Sequence, residues 1–242
     1  MPVYRIAEIN IEITPKSHYL KNQLADLLTN AKADFRVDIT RADLENELAI
    51  YRRTTQSNSD ISFGICESLA VYRKICRKII TDYNGILMHG AVIGYKGKAY
   101  LFTAPSGTGK TTHIRLWKQY FGDEVTIISG DKPILRQIDG KIVVYGTSWN
   151  GKENYGENTS AELDGIFILK RNPVNSVRKC EIKTALPFLF SQTLRYEDEK
   201  SVVNLLNFME NLVKKVRIFI LECNMELSAV ETSLSAIQNY TS

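Results

Sequence analysis

One run constrains this chain more than any other. Ala104-Pro105-Ser106-Gly107-Thr108-Gly109-Lys110-Thr111 lies between an apolar, strand-like segment, Tyr100-Leu101-Phe102, and a helix-like one, His113 to Phe121. A loop of this composition between a strand and a helix is the signature of a phosphate cradle. Glycines let backbone N–H groups turn inward toward an anion, and the helix N-terminus adds its dipole. Lys110 would reach the terminal phosphates, while the Thr111 hydroxyl would ligate Mg²⁺. The candidate nucleotide-binding residues are therefore Ser106, Gly107, Thr108, Gly109, Lys110, Thr111 and Thr112, with ATP and Mg²⁺ as the expected cofactors. Ala104 stands where the usual pattern opens with Gly. Ile114, Trp117 and Phe121 share one face at helical spacing and Gly122 supplies a stop, so a buried helix holds the loop rigid.

Composition bounds the rest. With 242 residues, 44% of them hydrophobic, the chain can bury one large core, or a core plus a smaller unit. Its net charge of +4 comes from 31 basic and 27 acidic residues without a basic tract, so no nucleic-acid partner is expected. Cys66, Cys76, Cys180 and Cys223 are isolated and mostly sit in apolar patterns, which points to a reducing cytoplasm. The start, Met1 to Thr14, lacks the charge and apolar blocks of a secretory signal. Lys, Arg or Asp interrupts every apolar window before the ~20 residues of a spanning helix, so no membrane association is expected either.

Along the chain, alternating Ile9, Ile11 and Ile13 predict a strand over Tyr4 to Ile13, closed by Thr14-Pro15. A helix from His18 to Leu28, a strand at Phe35 to Ile39 and a polar loop over Thr54 to Asp60 follow. Leu69, Tyr72, Cys76, Ile79 and Ile80 mark one face of a helix reaching Tyr83. The character then changes. Ile86 to Gly94 and Lys98 to Thr103 read as a hairpin leading into the phosphate loop, and Asp139-Gly140 joins a second hairpin, Ile134 to Ile138 with Ile142 to Tyr145. Gly146 to Ser160 is a long polar loop around Trp149. A strand at Gly165 to Leu169, a helix at Ser201 to Val213, a strand at Arg217 to Leu221 and a helix after Asn224 complete an α/β pattern. We expect a mixed sheet around the phosphate loop in residues 85–242, preceded by a small α+β region in residues 1–84.

Phosphoryl transfer needs a metal-holding carboxylate and groups that neutralise charge on the moving phosphate. Asp131 ends the apolar run Val125 to Ile128 about twenty residues beyond Lys110, where such a carboxylate belongs. His89, in Leu87-Met88-His89-Gly90-Ala91, is a second candidate, although a lone His in an apolar strand is more often a bonded core residue. His113 and His18 are weaker candidates. Lys132, Lys152, Glu153 and Arg195 could contact phosphate or acceptor, against the plainer reading of solvated or salt-bridged side chains. Trp149 reads equally as a core plug or a platform for the base.

His-Gly before a hairpin, then Ser-Gly-Thr-Gly-Lys-Thr-Thr, then an Asp at the next strand end: this order resembles the catalytic domain of HPr kinase/phosphorylase and of its relative, ATP-dependent phosphoenolpyruvate carboxykinase. The likeness is best over Ile86 to Leu169. It implies a phosphate-loop fold of that type, His89 near the transferred phosphate, Lys110 and Thr111 as phosphate and Mg²⁺ ligands, and Asp131 as the second of a paired Asp-Asp. It also implies assembly of copies into a homo-oligomer. The expected activity is ATP- and Mg²⁺-dependent transfer of the γ-phosphate to a hydroxyl of a peptide, small protein or metabolite. A carboxykinase is disfavoured by the short chain. Gly130 departs from the pattern, standing where the first Asp acts on the substrate hydroxyl. Either Asp131 serves both tasks, Glu153 substitutes, or activity falls, since a general base contributes ~10²–10⁴-fold. The alternative is a weakened nucleotide-binding accessory protein in peptide processing.

Overall fold

The computed structural model describes residues 1–55, 61–151, 153 and 155–239, and the fold is mixed α/β. The chain forms two compact units, Met1–Ile79 and Ile80–Ser242. In the first, β1 (Val3–Ile6) and β2 (Ile9–Ile13) form an antiparallel hairpin where the sequence pattern predicts one strand. The chain reverses at Ala7 and Glu8, with φ of 49° and 63°. Left-handed backbone at two residues other than Gly, Asn or Asp leaves no compositional signal. Helix α1 (His18–Gln23) starts at Ser17, whose hydroxyl accepts the Leu20 N–H at 3.1 Å, and gives way to a 3₁₀ turn at Ala25–Leu27. Strands β3 (Leu28–Thr29) and β4 (Phe35–Val37) flank the hairpin in the order β3-β1-β2-β4, with β4 parallel to β2. Helices α2 (Arg41–Thr55) and α3 (Phe63–Asp82) follow. Thr54 and Thr55, expected in a polar loop, end α2; the rest of that expected loop, 56–60, lies outside the described residues.

The second unit carries the glycine-rich loop of residues 104–109. Strands β5 (Gly85–Leu87), β6 (Ala91–Tyr95) and β7 (Lys98–Thr103) lead to helix α4 (Lys110–Phe121). Then come β8 (Val125–Ser129), β9 (Ile134–Ile138), β10 (Lys141–Tyr145), β11 (Ser160–Arg171) and β12 (Ser176–Lys179). Helices α5 (Ile182–Ser191) and α6 (Glu199–Lys215), strand β13 (Arg217–Cys223) and helix α7 (Ser228–Asn239) close the chain. Both predicted hairpin turns are present, with φ of 49° and 75° at Lys96-Gly97 and 48° and 78° at Asp139-Gly140. The run Ile86 to Gly94 is not one strand, however: β5 pairs with β9, whereas β6 pairs with β7 and β8.

Among the described residues the sheet runs β5-β9-β10-β11-β7-β6-β8, with β13 on β11 and β12 on β13. β7 is antiparallel to β6 and parallel to β11, so the loop leaves a mixed sheet. β11 serves three neighbours: its start pairs with β10, its middle with β7 and its end with β13. Helices cover both faces, which is why these strands read as near-continuous apolar runs. Leu101, Ile166 and Ile168 pack toward Leu205, Phe208 and Leu212 of α6; Phe102, Phe167 and Phe219 pack toward α4 and α7. The three Phe form a stacked ladder across β7, β11 and β13, with ring centroids 5.2 and 5.1 Å apart.

Helix α4 is seated on that ladder. Trp117 is fully buried, edge-on to Tyr95 at 5.4 Å, and its indole N–H donates to His113 Nε2 at 3.3 Å and Ser233 Oγ at 3.1 Å. His113 lies 4.6 Å from Phe102, and burial pushes its pKa down to about 3. Among the described residues no helix is long and apolar enough to cross a membrane.

The buried neutral His113 makes stability pH-dependent. An unfolded His takes a proton near pH 6.5, the native one only near pH 3, so between those values the unfolded state holds more protons. Stability is therefore full above about pH 6.5 and declines on acidification, by about 2 kcal/mol at pH 5. Urea unfolding at pH 7 and pH 5 will show this loss in the wild type, and a smaller loss in His113→Phe.

Candidate active site

The turn from Ala104 to Gly109 links β7 to α4, with φ of 79° at Gly107 and 120° at Gly109, which only Gly adopts without strain. Ala104 is fully buried in the aromatic core with Phe102, Ile114 and Trp117, so its methyl fills space that a Gly would leave. Lys110 Nζ donates to Ala104 O at 2.9 Å and Pro105 O at 3.4 Å. Burial lowers the Lys110 pKa, with Asp131 opposing the shift and Lys132 reinforcing it. Thr108 closes the turn, its hydroxyl on Pro105 O at 2.9 Å. Arg171 braces the loop from outside: Nε donates to Thr108 O at 3.1 Å, and Nη2 donates to Gly107 O. Sequence reasoning missed Arg171, because only the pairing of Ile168 with Thr103 carries the end of β11 alongside the loop.

Across a cavity of about 550 Å³ from Lys110, Thr111 and Thr112 stand His89, Asp131 and Lys132. Backbone ties fix this side: His89 N–H donates to Gln192 O at 2.7 Å, Gly90 N–H to Asp131 O at 2.9 Å, and the Thr103 hydroxyl to His89 O at 2.8 Å. Gly90 packs closely here: a Cβ would come within 3.1 Å of Phe102 O and of Leu101 Cδ2. His89 Nε2 lies 3.3 Å from Asp131 Oδ1, and Lys132 bonds the other carboxylate oxygen. Burial acts to raise the Asp131 pKa, but the His89 hydrogen bond and the Lys132 ammonium outweigh it and hold the carboxyl at about 2.

Gln192, also missed, orients His89. Ser191 Oγ donates to Phe188 O at 2.6 Å and accepts from Gln192 Nε2 at 3.1 Å, which turns Gln192 Oε1 toward His89 Nδ1 at 3.2 Å. The ring therefore presents Nδ1 to an amide oxygen and Nε2 to Asp131 and the cavity, each nitrogen facing a hydrogen-bond acceptor. No residue type in the run around Gln192 signals this, because an isolated bridge between Met88 and Thr193 brings the two segments together.

The remaining candidates divide. Glu153 is exposed and lines the cavity, as do Gly130, Asn150 and Gly151. Lys152 lies outside the described residues. Arg195, predicted as a phosphate or acceptor contact, is exposed and does not line the cavity; the segment delivers Gln192 instead. Trp149 is only 4% exposed, a core plug and not a platform. His113 is buried behind the loop, and His18 begins α1 in the first unit. At Gly130 a Cβ would sit 2.7 Å from Tyr155 O and 3.2 Å from Asn150 O. The backbone of the loop joining β10 to β11 occupies the place of a side chain.

The residues fit Mg²⁺ shared with a nucleotide. Thr111 and Asp131 face one cavity, and the depressed pKa keeps the carboxylate charged. Among the described residues no group of three or more His, Cys, Asp or Glu is placed to hold a metal alone, whereas Mg²⁺ is commonly held by one or two carboxylates plus substrate phosphates.

Two outcomes follow from this geometry. Gly130→Asp will lower the thermal midpoint by several degrees, a cost of about 1–3 kcal/mol for an overpacked side chain, and will not raise phosphoryl transfer. Gln192→Leu will leave the fold intact, but the ¹⁵N signal of His89 Nδ1 will shift as that nitrogen loses its partner. Any transfer activity will drop by roughly tenfold or more, as for loss of other ligand-orienting partners.

No protein-family model matches this chain, and no curated protein matches it. Among solved structures it is similar to the HPr(Ser) kinase/phosphatase from Coxiella burnetii, at 9% sequence identity and a TM-score of 0.36, over 63% of this chain and 96% of that one. The likeness is slight, and the chemistry of the site rests on its own residues.

Proposed function

We propose that this chain is an ATP- and Mg²⁺-dependent phosphotransferase that moves the γ-phosphate to a hydroxyl of a peptide, small protein or metabolite. The supporting observation is the single cavity that has Lys110 and Thr111 on one wall and the His89–Asp131 pair on the other. Backbone N–H groups of the loop and the Lys110 ammonium bind and neutralise the phosphates. Thr111 and Asp131 would hold Mg²⁺, which when bound offsets phosphate charge. In the transfer the acceptor oxygen bonds to the γ-phosphorus as the bond to the β–γ bridging oxygen breaks, and ADP leaves. The acceptor's proton passes to Nε2 of the His89 ring form that carries its own proton on Nδ1, toward Gln192. The cation so formed donates to Gln192 Oε1 and Asp131 Oδ1. Asp131, held at about 2, is too weak a base for this step and serves as metal ligand and counter-charge. Four free cysteines favour a reducing compartment, the cytoplasm in this reading.

The closed space at Gly130 favours a second reading, a nucleotide-binding accessory protein without transfer chemistry. Labelled ATP with hydroxyl-bearing acceptors separates the two. Under the first reading an acceptor is labelled, Lys110→Ala and Asp131→Asn each cut transfer by at least ~10²-fold, and chelation of Mg²⁺ abolishes it. Tight Mg²⁺-ATP binding with no labelled acceptor and background hydrolysis selects the second.

A further inference from the structure

We infer that Lys132 is a tethered counter-ion that takes the place of a divalent cation on Asp131, so that the site holds ATP without metal almost as well as with Mg²⁺. The inference rests on the phosphotransferase reading above. It adds that binding and transfer differ in their need for metal.

The backbone fixes where this lysine acts. Lys132 stands between Asp131 and Pro133, and a residue before proline is biased toward extended backbone. Its carbonyl accepts the Thr147 hydroxyl at 3.0 Å, while the carbonyls of Asp131 and Pro133 accept the Gly90 N–H at 2.9 Å and the Met88 N–H at 3.3 Å. Three consecutive carbonyls are thus pinned. From this fixed base the side chain carries its ammonium to Asp131 Oδ2, and both residues line one cavity with Lys110 and Thr111.

The two oxygens of Asp131 are held differently. Oδ1 faces His89 Nε2 at 3.3 Å, on a ring whose other nitrogen meets Gln192 Oε1 at 3.2 Å and whose backbone N–H donates to Gln192 O at 2.7 Å. That contact belongs to the scaffold. Oδ2 is bound by a lysine on a flexible four-carbon stem, with a side chain 37% exposed. Lys132 is therefore the partner that yields when the carboxylate takes a metal.

Charge balance gives the exchange its purpose. A triphosphate on the loop meets the Lys110 ammonium and the positive end of α4. A bare carboxylate beside them, only 21% exposed and so poorly screened, would repel it. Lys132 cancels that repulsion before any metal arrives. Its charge also acts on Lys110, whose ammonium it disfavours, so it lies within electrostatic range of the phosphates that Lys110 serves. A plain ion pair between neighbouring residues would leave nucleotide binding untouched, and the two cases differ in a measurable way.

Titration calorimetry of ATP in EDTA, and of ATP with excess Mg²⁺, tests the inference without turnover. The wild type is expected to bind ATP in EDTA within tenfold of its affinity with Mg²⁺, a comparison that needs no variant. Lys132→Met, checked for wild-type circular dichroism, is expected to lose at least tenfold in EDTA and less than threefold with Mg²⁺. Adding Asp131→Asn to Lys132→Met is expected to restore binding in EDTA to within threefold of the wild type, because the charge to be neutralised is gone. A loss of more than tenfold when metal is removed from the wild type, similar losses by Lys132→Met in both conditions, or no recovery in the folded double variant would overturn the counter-ion. Failure of the wild type to bind ATP in either condition defeats the phosphate-loop reading itself.

Discussion

The seating of α4 on the sheet is the constraint from which the rest of the site follows. A phosphate loop works only if the N–H groups at the start of its helix are held still, and here that helix begins at Lys110 with no side-chain cap. Rigidity comes from packing. Trp117 is enclosed by Tyr95 and Phe121, rests against Phe102, and hydrogen-bonds across to Ser233 on α7. Phe102 belongs to the same ladder as Phe167 and Phe219, so the helix, three strands and α7 form one interlocked layer. Removing any large ring from such a layer costs about 3–5 kcal/mol, a large part of a domain's stability. Ala104 in place of Gly fits this arrangement, since its methyl is one more contact between loop and core.

The opposite wall is held by different means. His89 and Asp131 lie on connections between strands, where packing is weaker, and hydrogen bonds do the positioning. Gln192, Asp131 and Thr103 each bond the backbone at His89 or Gly90, drawing together the end of α5, the turn after β8 and the end of β7. Two mechanical regimes thus meet at one cavity. The Lys110 side is fixed by buried aromatic area and the His89 side by polar contacts, so the His89 side is the one on which loss of a single hydrogen bond can displace a side chain.

What could be read in the sequence was what local pattern controls. The strand–loop–helix around Gly107 and Gly109, the turns at Lys96-Gly97 and Asp139-Gly140, and the helices with apolar stripes all follow from spacing and from residues that tolerate special backbone angles. The reversal at Ala7-Glu8 escaped notice because neither residue announces positive φ. Helix α2 escaped because its mostly polar sequence gives a weak stripe. The site divides in the same way. Lys110, Thr111, Asp131 and His89 stand in recognisable runs, whereas Gln192 and Arg171 reach the site through long-range pairing, with His89 and Gln192 103 positions apart. No local pattern encodes a partner that far away. Arg195 stands out in that run for its charge, whereas the residue that meets His89 is the neutral Gln192, held by Ser191.

Gly130 shows why a missing side chain should be read from its surroundings. Taken alone, a glycine in place of a carboxylate suggests decay. In the fold it is one of several glycines that let the connection between β10 and β11 lie close against the site. A Cβ on Gly146 would collide with Glu157 O and Ile128 O, one on Gly156 with the Asn150 amide, and one on Gly151 would press on Asp131 at 3.1 Å. Glu157 N–H bonds Ile127 O at 3.1 Å, so this connection runs along β8 as backbone against backbone. A chain that had merely lost a carboxylate would keep the room for it. Here the room is taken by the segment that bears Glu153 to the cavity and presses Gly151 on Asp131, so the absent carboxylate and the added wall are one structural choice. The side chains left facing that wall are His89, with Nδ1 held by Gln192, and Asp131 beside its Nε2.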